Sequence, residues 1–213
     1  MDSKANLADV SAASERFFRF YVAHCESPDL DTLFALLQAG HSLNDRLQKG
    51  AGLDFFNIPE FTALKCLRNY FHHHEELRHV VSIFPVGDYP IVTDLLYLCL
   101  VPRESVMMAI DQIKSQSAKD KARQACQDVF HLYGQVVNIN PALFNFVVAA
   151  YERLKEANVV LTGVAVEKFE QSYRYEEENG FSHVINGKLE TMAGSVDDLL
   201  ANIMRTRGLS RSG

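Results

Sequence analysis

The chain has 213 residues, of which 47% are hydrophobic and 23% are charged. These proportions are average for a globular protein and exclude a chain that is disordered throughout. The formal charge of −6 at pH 7 excludes non-specific coating of nucleic acid, so any RNA contact requires a local basic cluster.

The apolar stretches and the cysteines indicate the cellular compartment of the protein. The longest apolar runs, at 97–101 and 144–151, are too short to cross a bilayer, and the first ten residues lack the apolar core of a secretory signal. The cysteines Cys25, Cys66, Cys99 and Cys126 lie far apart and form no CxxC pair. We therefore expect buried thiols in a reducing compartment, a cytoplasmic location and no contact with a membrane.

Helical periodicity dominates the first half of the chain. A helix is predicted over 8–25, and a second should follow Ser27 as its N-cap, with Pro28 at its first position. Gly50, Gly52 and Pro59 should separate it from a third helix over 61–80. Prolines and glycines at 85–90 then predict a loop.

The second half continues the helical pattern. Helices are predicted over 91–100, from Pro102 to 115, up to Gly134, from Asn140-Pro141 to 157, over 159–178, and after the N-cap Ser195. Asn186-Gly187 predicts a short hairpin, with a plain loop as the alternative. Because no stretch alternates with period two, we expect an all-α fold, a multi-helix bundle of about seven to nine helices. Its predicted organisation is one helical domain over 1–205 and a flexible basic tail over 206–213.

The stretch FTALKCLRNYFHHHEELRHV, residues 61–80, concentrates the chemistry. If Phe71 lies at the centre of its buried face, Leu64 and Leu67 fall beside it at 3.6 residues per turn, with Phe61 at the edge. The polar side then carries an arginine, an asparagine, two histidines and a glutamate three to four residues beyond them, a spacing at which helical side chains meet. They are Arg68, Asn69, His72, His73 and Glu76.

The run Arg68-Asn69-Tyr70-Phe71-His72-His73 resembles the motif of the HEPN family: arginine, a polar residue, a few variable residues and then histidine. The resemblance implies an HEPN-like all-α core over roughly 30–150, a homodimer and a metal-independent endoribonuclease acting as a toxin or defence effector. It assigns catalysis to Arg68, His73, Asn69 and His72. It implies no cofactor, RNA as substrate, and an antitoxin or inhibitor protein as a further partner.

The residue types suit that chemistry. In RNA cleavage without a metal the 2′-OH is the nucleophile, a histidine moves protons and an arginine stabilises the crowded phosphorane. The products are 2′,3′-cyclic phosphate and 5′-OH ends. Residues five apart on a helix diverge by about 140°, so Arg68 and His73 of one copy do not face one phosphate. A site shared across a homodimer would bring them together.

Alternatives remain for several of these residues. His73 is preferred as the working histidine, then His72, then His74. Glu76 would hold a histidine ring at the site. Tyr70 would either stack on a base of the substrate or pack in the core.

The same stretch also admits other functions. A metal site would use His72, Glu76 and His79, although the zinc-protease spacing is missing and a di-metal bundle needs a Glu-x-x-His motif on each of two helices, where the chain has one. A solvated helix face is the simplest structural alternative. A non-catalytic helical dimerisation or interaction domain in a defence or signalling assembly is the competing function.

Overall fold

The computed structural model describes residues 2–73, 80–192 and 194–210, with side chains described between residues 7 and 206 of these ranges. Within them the chain forms eight α-helices and six short strands. The helices are α1 (Asp2–Glu26), α2 (Leu30–Ala51), α3 (Pro59–His73), α4 (Arg103–Asp111), α5 (Gln116–Val129), α6 (Asn140–Glu156), α7 (Val164–Asn179) and α8 (Val196–Ser210). The strands are β1 (Ser82–Pro85), β2 (Ile91–Val92), β3 (Tyr97–Pro102), β4 (His131–Tyr133), β5 (Val136–Asn138) and β6 (Glu190–Thr191).

The chain divides into two compact units. The first, which we call the helical unit, comprises Met1–Phe61 and Phe144–Val184. The second, the mixed unit, comprises Thr62–Leu143 and Ile185–Gly213 and contains every strand.

Local signals set the helix ends in the helical unit. Asp29 caps α2, because its Oδ1 accepts a hydrogen bond from the Thr32 backbone N–H at 2.7 Å while Thr32 Oγ1 accepts one from the Asp29 N–H at 3.0 Å. This reciprocal capping box places the cap two residues after Ser27, the predicted cap. Gly52 ends α2 with a left-handed φ of 69°, a conformation that glycine adopts without steric cost.

Aromatic rings fill the core of the helical unit. Phe146 of α6 lies at its centre, with ring centroids 5.6 Å from Phe17, 5.5 Å from Phe55 and 5.4 Å from Phe61. These separations are typical of edge-to-face and tilted aromatic pairs. The four rings are buried, so α1, the α2–α3 connection, the first turn of α3 and α6 share one apolar cluster.

The mixed unit is built on an antiparallel sheet in the order β1-β3-β5-β4, with a separate antiparallel pair formed by β2 and β6. Strand β3 lies between two partners, with Ile83 opposite Cys99 and Val137 opposite Val101. The core against one face of the sheet contains Phe84, Leu98, Leu100, Leu189, Leu200 and Ile203.

The prediction of an all-α fold is right for the predominance of helix and wrong about the sheet. Residues 91–100 form β2 and most of β3 rather than a helix. The helix predicted to reach Gly134 stops at Val129, and a hairpin follows in which Gly134 has a φ of 57°. Strand β3 gave no alternation because Leu98, Cys99, Leu100 and Val101 are all fully buried, and a short strand buried on both faces resembles a turn of buried helix.

Several smaller predictions also differ from the structure. The loop predicted at 85–90 contains the end of β1, a short 3₁₀ turn over Val86–Asp88 and the approach to β2. Residues around Asn186-Gly187 form a loop, the alternative to the predicted hairpin; their backbone N–H groups donate to the Asp94 carboxylate at 2.9–3.2 Å. Cys25 is exposed, whereas the other three cysteines are buried.

The last helix begins as expected, since Ser195 Oγ accepts a hydrogen bond from the Asp198 N–H at 3.4 Å. It continues to Ser210 and so includes residues 206–210 of the predicted tail. Residues 211–213 lie outside the described ranges. No helix in the described ranges is both long enough and apolar enough to cross a membrane.

Candidate functional site

Helix α3 turns its apolar side inward as the periodicity predicts. Leu64, Leu67 and Phe71 are buried, and so is Phe61 at the first turn of the helix. The inward face fixes the rotation of the helix about its axis. The polar residues of the predicted motif must therefore lie on its remaining sides.

The motif residues reach solvent to different degrees. Arg68 and Asn69 are half-buried, while His72 and His73 are exposed in the last described turn. Arg68 Nη1 donates a hydrogen bond to Asn69 Oδ1 at 3.0 Å. The rings of His72 and His73 lie with their centroids 5.5 Å apart. Arg68 with Asn69 and His72 with His73 thus form two separate contacting pairs on the part of α3 that reaches solvent.

Tyr70 differs from the other motif residues because only 2% of its surface is exposed. Its hydroxyl donates to Met108 Sδ of α4 at 3.4 Å. A ring buried to this extent presents no face to a base. The core-packing alternative therefore describes Tyr70, and its assignment as a substrate-binding residue is corrected.

The remaining predicted residues of this stretch, His74, Glu76 and His79, lie outside the described ranges. The alternative metal site depends on Glu76 and His79, so it also lies outside the described ranges. Among the described residues, no group of three or more histidine, cysteine, aspartate or glutamate side chains is arranged to hold a metal ion.

A pair of cysteines lies behind the motif in the mixed unit. The thiols of Cys66 on α3 and Cys126 on α5 share a hydrogen bond, and both are buried. This hydrogen bond, and secondly burial, raises the pKa of the Cys126 thiol. Burial alone raises the pKa of Cys99 in β3. Cys99 and Cys126 are therefore protonated at neutral pH and are poor nucleophiles.

Sequence reasoning missed a groove in the mixed unit between α4, α5 and the β4–β5 hairpin. Its volume is about 350 Å³. The groove is lined by Arg103, Val106, Met107, Ile110, Asp111, Arg123, Cys126, Gln127, Phe130, Leu132 and Val137. The only sequence signal was the apolar spacing of Val106, Met107 and Ile110, which also describes an ordinary core-facing helix.

No protein-family model, no curated protein and no solved structure matches the chain.

Proposed function

We propose that the accessible side of α3 is the working surface of a metal-independent endoribonuclease of the HEPN type that acts in the cytoplasm. The observation that carries this proposal is the exposure of His72 and His73 beside the Arg68–Asn69 pair. A side chain that must reach a phosphodiester has to be accessible, and these four are. In this proposal the enzyme needs no cofactor.

Each residue has a chemical role. His73 exchanges protons with the 2′-OH or the leaving 5′-oxygen. Arg68 provides a planar, permanently charged fork for the phosphorane oxygens. Asn69 positions the Arg68 guanidinium, since it already accepts a hydrogen bond from Nη1. His72 is the second proton carrier. The products are 2′,3′-cyclic phosphate and 5′-OH ends.

A second copy of the chain completes the proposed site. On one helix the directions of residues 68 and 73 differ by about 140°, so a single copy does not direct both groups at one phosphate. Two copies of α3 related by a two-fold axis would place Arg68 of one chain opposite His73 of the other.

The first test is cleavage of total RNA by the purified protein in the presence of EDTA. We expect cutting that resists the chelator, with 2′,3′-cyclic phosphate and 5′-OH ends on the fragments. Arg68→Ala and His73→Ala should each abolish it while circular dichroism remains unchanged. Matched controls are Arg46→Ala and His41→Ala on α2, which remove an arginine paired with Asp9 and a histidine paired with Asp45.

Mixing the two inactive variants tests the shared site directly. A heterodimer of Arg68→Ala and His73→Ala keeps one intact arginine and one intact histidine, on different chains. We expect the mixture to recover part of the lost activity. A mixture that stays inactive although the chains exchange would contradict the shared site, and full activity in both single variants would remove α3 from catalysis.

A non-catalytic interaction domain is the second candidate, and exposed apolar side chains in the mixed unit favour it. Met192, directly after β6, is 90% exposed, Leu96, between β2 and β3, is 85% exposed, and Val92 of β2 is also exposed. Apolar surface of this kind suits a protein partner, such as an antitoxin or inhibitor. A stable dimer or complex with no RNA cutting would support this function over the ribonuclease.

A further inference from the structure

The groove of the mixed unit has the size of a small-molecule site. Its volume of about 350 Å³ lies at the lower end of the range for ligand pockets, about 300–1,000 Å³. Its walls come from α4 and α5, which converge on the β4–β5 hairpin. The site lies outside the α3 motif, and the inference below does not depend on the ribonuclease proposal.

Apolar side chains form most of the groove surface. Val106, Ile110 and Val137 are buried at its base. Met107 and Leu132 stand at its rim with 55% and 50% of their surfaces exposed. An apolar ligand body lying along the groove would cover these two side chains, and each square ångström of apolar surface removed from water contributes about 25 cal/mol.

The charged side chains of the groove differ in whether they form an ion pair. Asp111 Oδ1 lies 3.4 Å from Lys119 Nζ. Arg123 Nη1 lies 2.9 Å from Asp120 Oδ1. Arg103 makes no side-chain ion pair or hydrogen bond within the described part of the chain. The groove therefore has one uncompensated positive charge beside an apolar surface.

Covalent capture is not the expected mode of binding. Cys126 is the cysteine among the lining residues. Its thiol shares a hydrogen bond with Cys66, and this hydrogen bond and burial raise the pKa of the Cys126 thiol. A protonated, buried thiol reacts slowly. A ligand would be held by the apolar surface and by Arg103, and it would dissociate unchanged.

We propose that this groove reversibly binds a small amphipathic monocarboxylate, with its carboxylate on Arg103 and its apolar chain against Met107 and Leu132. One uncompensated cation matches one negative charge. A phosphomonoester carries about −1.5 to −2 at neutral pH and would leave an excess negative charge in a protein that is already acidic. The guanidinium fork fits a carboxylate through two parallel hydrogen bonds.

The test uses octanoate as the probe, titrated into the ¹⁵N-labelled full chain and followed by amide chemical shifts and calorimetry. We expect shifts confined to α4, the second half of α5 and the β4–β5 hairpin. Arg103→Gln should weaken octanoate binding by about tenfold or more, since hydrogen bonds to charged groups contribute about 1.5–3 kcal/mol. Arg123→Gln, which alters an arginine that is already paired, should weaken it much less.

Two further measurements separate the contribution of the ligand's charge from that of its apolar chain. Met107→Glu, at an exposed rim position that tolerates a polar residue, should abolish octanoate binding through like-charge repulsion. Octanol should bind more weakly than octanoate and should be indifferent to Arg103→Gln. Equal octanoate binding by wild type and Arg103→Gln, shifts centred elsewhere in the chain, or tighter binding of octyl phosphate would each overturn the proposal.

Discussion

The helical unit and the mixed unit bury their cores in different ways. The helical unit packs aromatic rings of α1, α6 and the α2–α3 connection around Phe146. The mixed unit packs mainly aliphatic side chains against a four-stranded sheet. The α3 motif and the Arg103 groove both belong to the mixed unit. Regular amphipathic helices made the helical unit readable from sequence, whereas both candidate sites lie where strands and short helices alternate.

The largest expected effect tests the aromatic core. Phe146→Ala should destabilise the protein by about 3–5 kcal/mol, because it removes a buried ring and leaves a cavity among three others. The measurement is the free energy of unfolding in urea. Phe181→Ala, in the same unit at a position 58% exposed, should change it by about 0.5 kcal/mol or less. Similar values for both variants would contradict a core centred on Phe146.

The next prediction compares one buried asparagine from each unit. Asn138 Oδ1 in the mixed unit accepts hydrogen bonds from the Cys99 and Asn140 N–H groups at 3.3 Å and 3.2 Å. Asn44 Oδ1 in the helical unit accepts one, from the Phe55 N–H at 2.8 Å. Both side chains are almost fully buried.

Replacing each asparagine with alanine leaves these N–H groups unsatisfied, at about 1–3 kcal/mol per group. We therefore expect Asn138→Ala to cost about twice as much free energy of unfolding as Asn44→Ala, measured by urea unfolding. A larger cost for Asn44→Ala would show that the number of accepted bonds does not decide the difference.

The last prediction concerns pH and the helical unit. Burial lowers the pKa of His24 from 6.5 to about 4, against an opposing effect of the Asp29 carboxylate. The unfolded chain therefore binds a proton between pH 6.5 and 4 that the folded chain excludes. Stability from the neutral ring is complete above pH 6.5 and falls as the pH drops toward 4, by no more than about 3 kcal/mol.

His24→Gln should remove this part of the pH dependence, measured as the slope of unfolding free energy against pH between 4 and 6.5. The matched variant His41→Gln alters a more accessible histidine that pairs with Asp45 and controls for the general effect of replacing a histidine in this unit. An identical slope in wild type and His24→Gln would contradict the assignment.

Much of the helical architecture could be predicted because helix ends depend on nearby residues. Asn140-Pro141 begins α6. Gly52 ends α2 and Ser195 caps α8 through hydrogen bonds within four residues. The apolar face of α3 could be predicted for the same reason. The exposure of His72 and His73 followed once that face was fixed.

The sheet and the groove could not be predicted in this way. Strand β3 was mistaken for a helix because its burial on both faces removed the period-two pattern. The residues of the hairpin after α5 continue the helical pattern of that helix, and the first sequence signal for a break, Gly134, lies at the turn of the hairpin. The groove is formed by α4, α5 and the hairpin together, and no local sequence pattern predicts that these elements converge.

The amino-acid order alone determined that most of the chain is helical, where α6 and α8 begin, where α2 ends and which side of α3 is apolar, since capping and periodicity act over one or two turns. Tertiary structure decided that Leu100 pairs with Asn138 across the sheet, that Tyr70 is buried against Met108 and that Arg103 lies beside an apolar groove. These features join residues about forty positions apart in sequence or on separate elements. Their free energy comes from burial and pairing that exist only after the chain has folded.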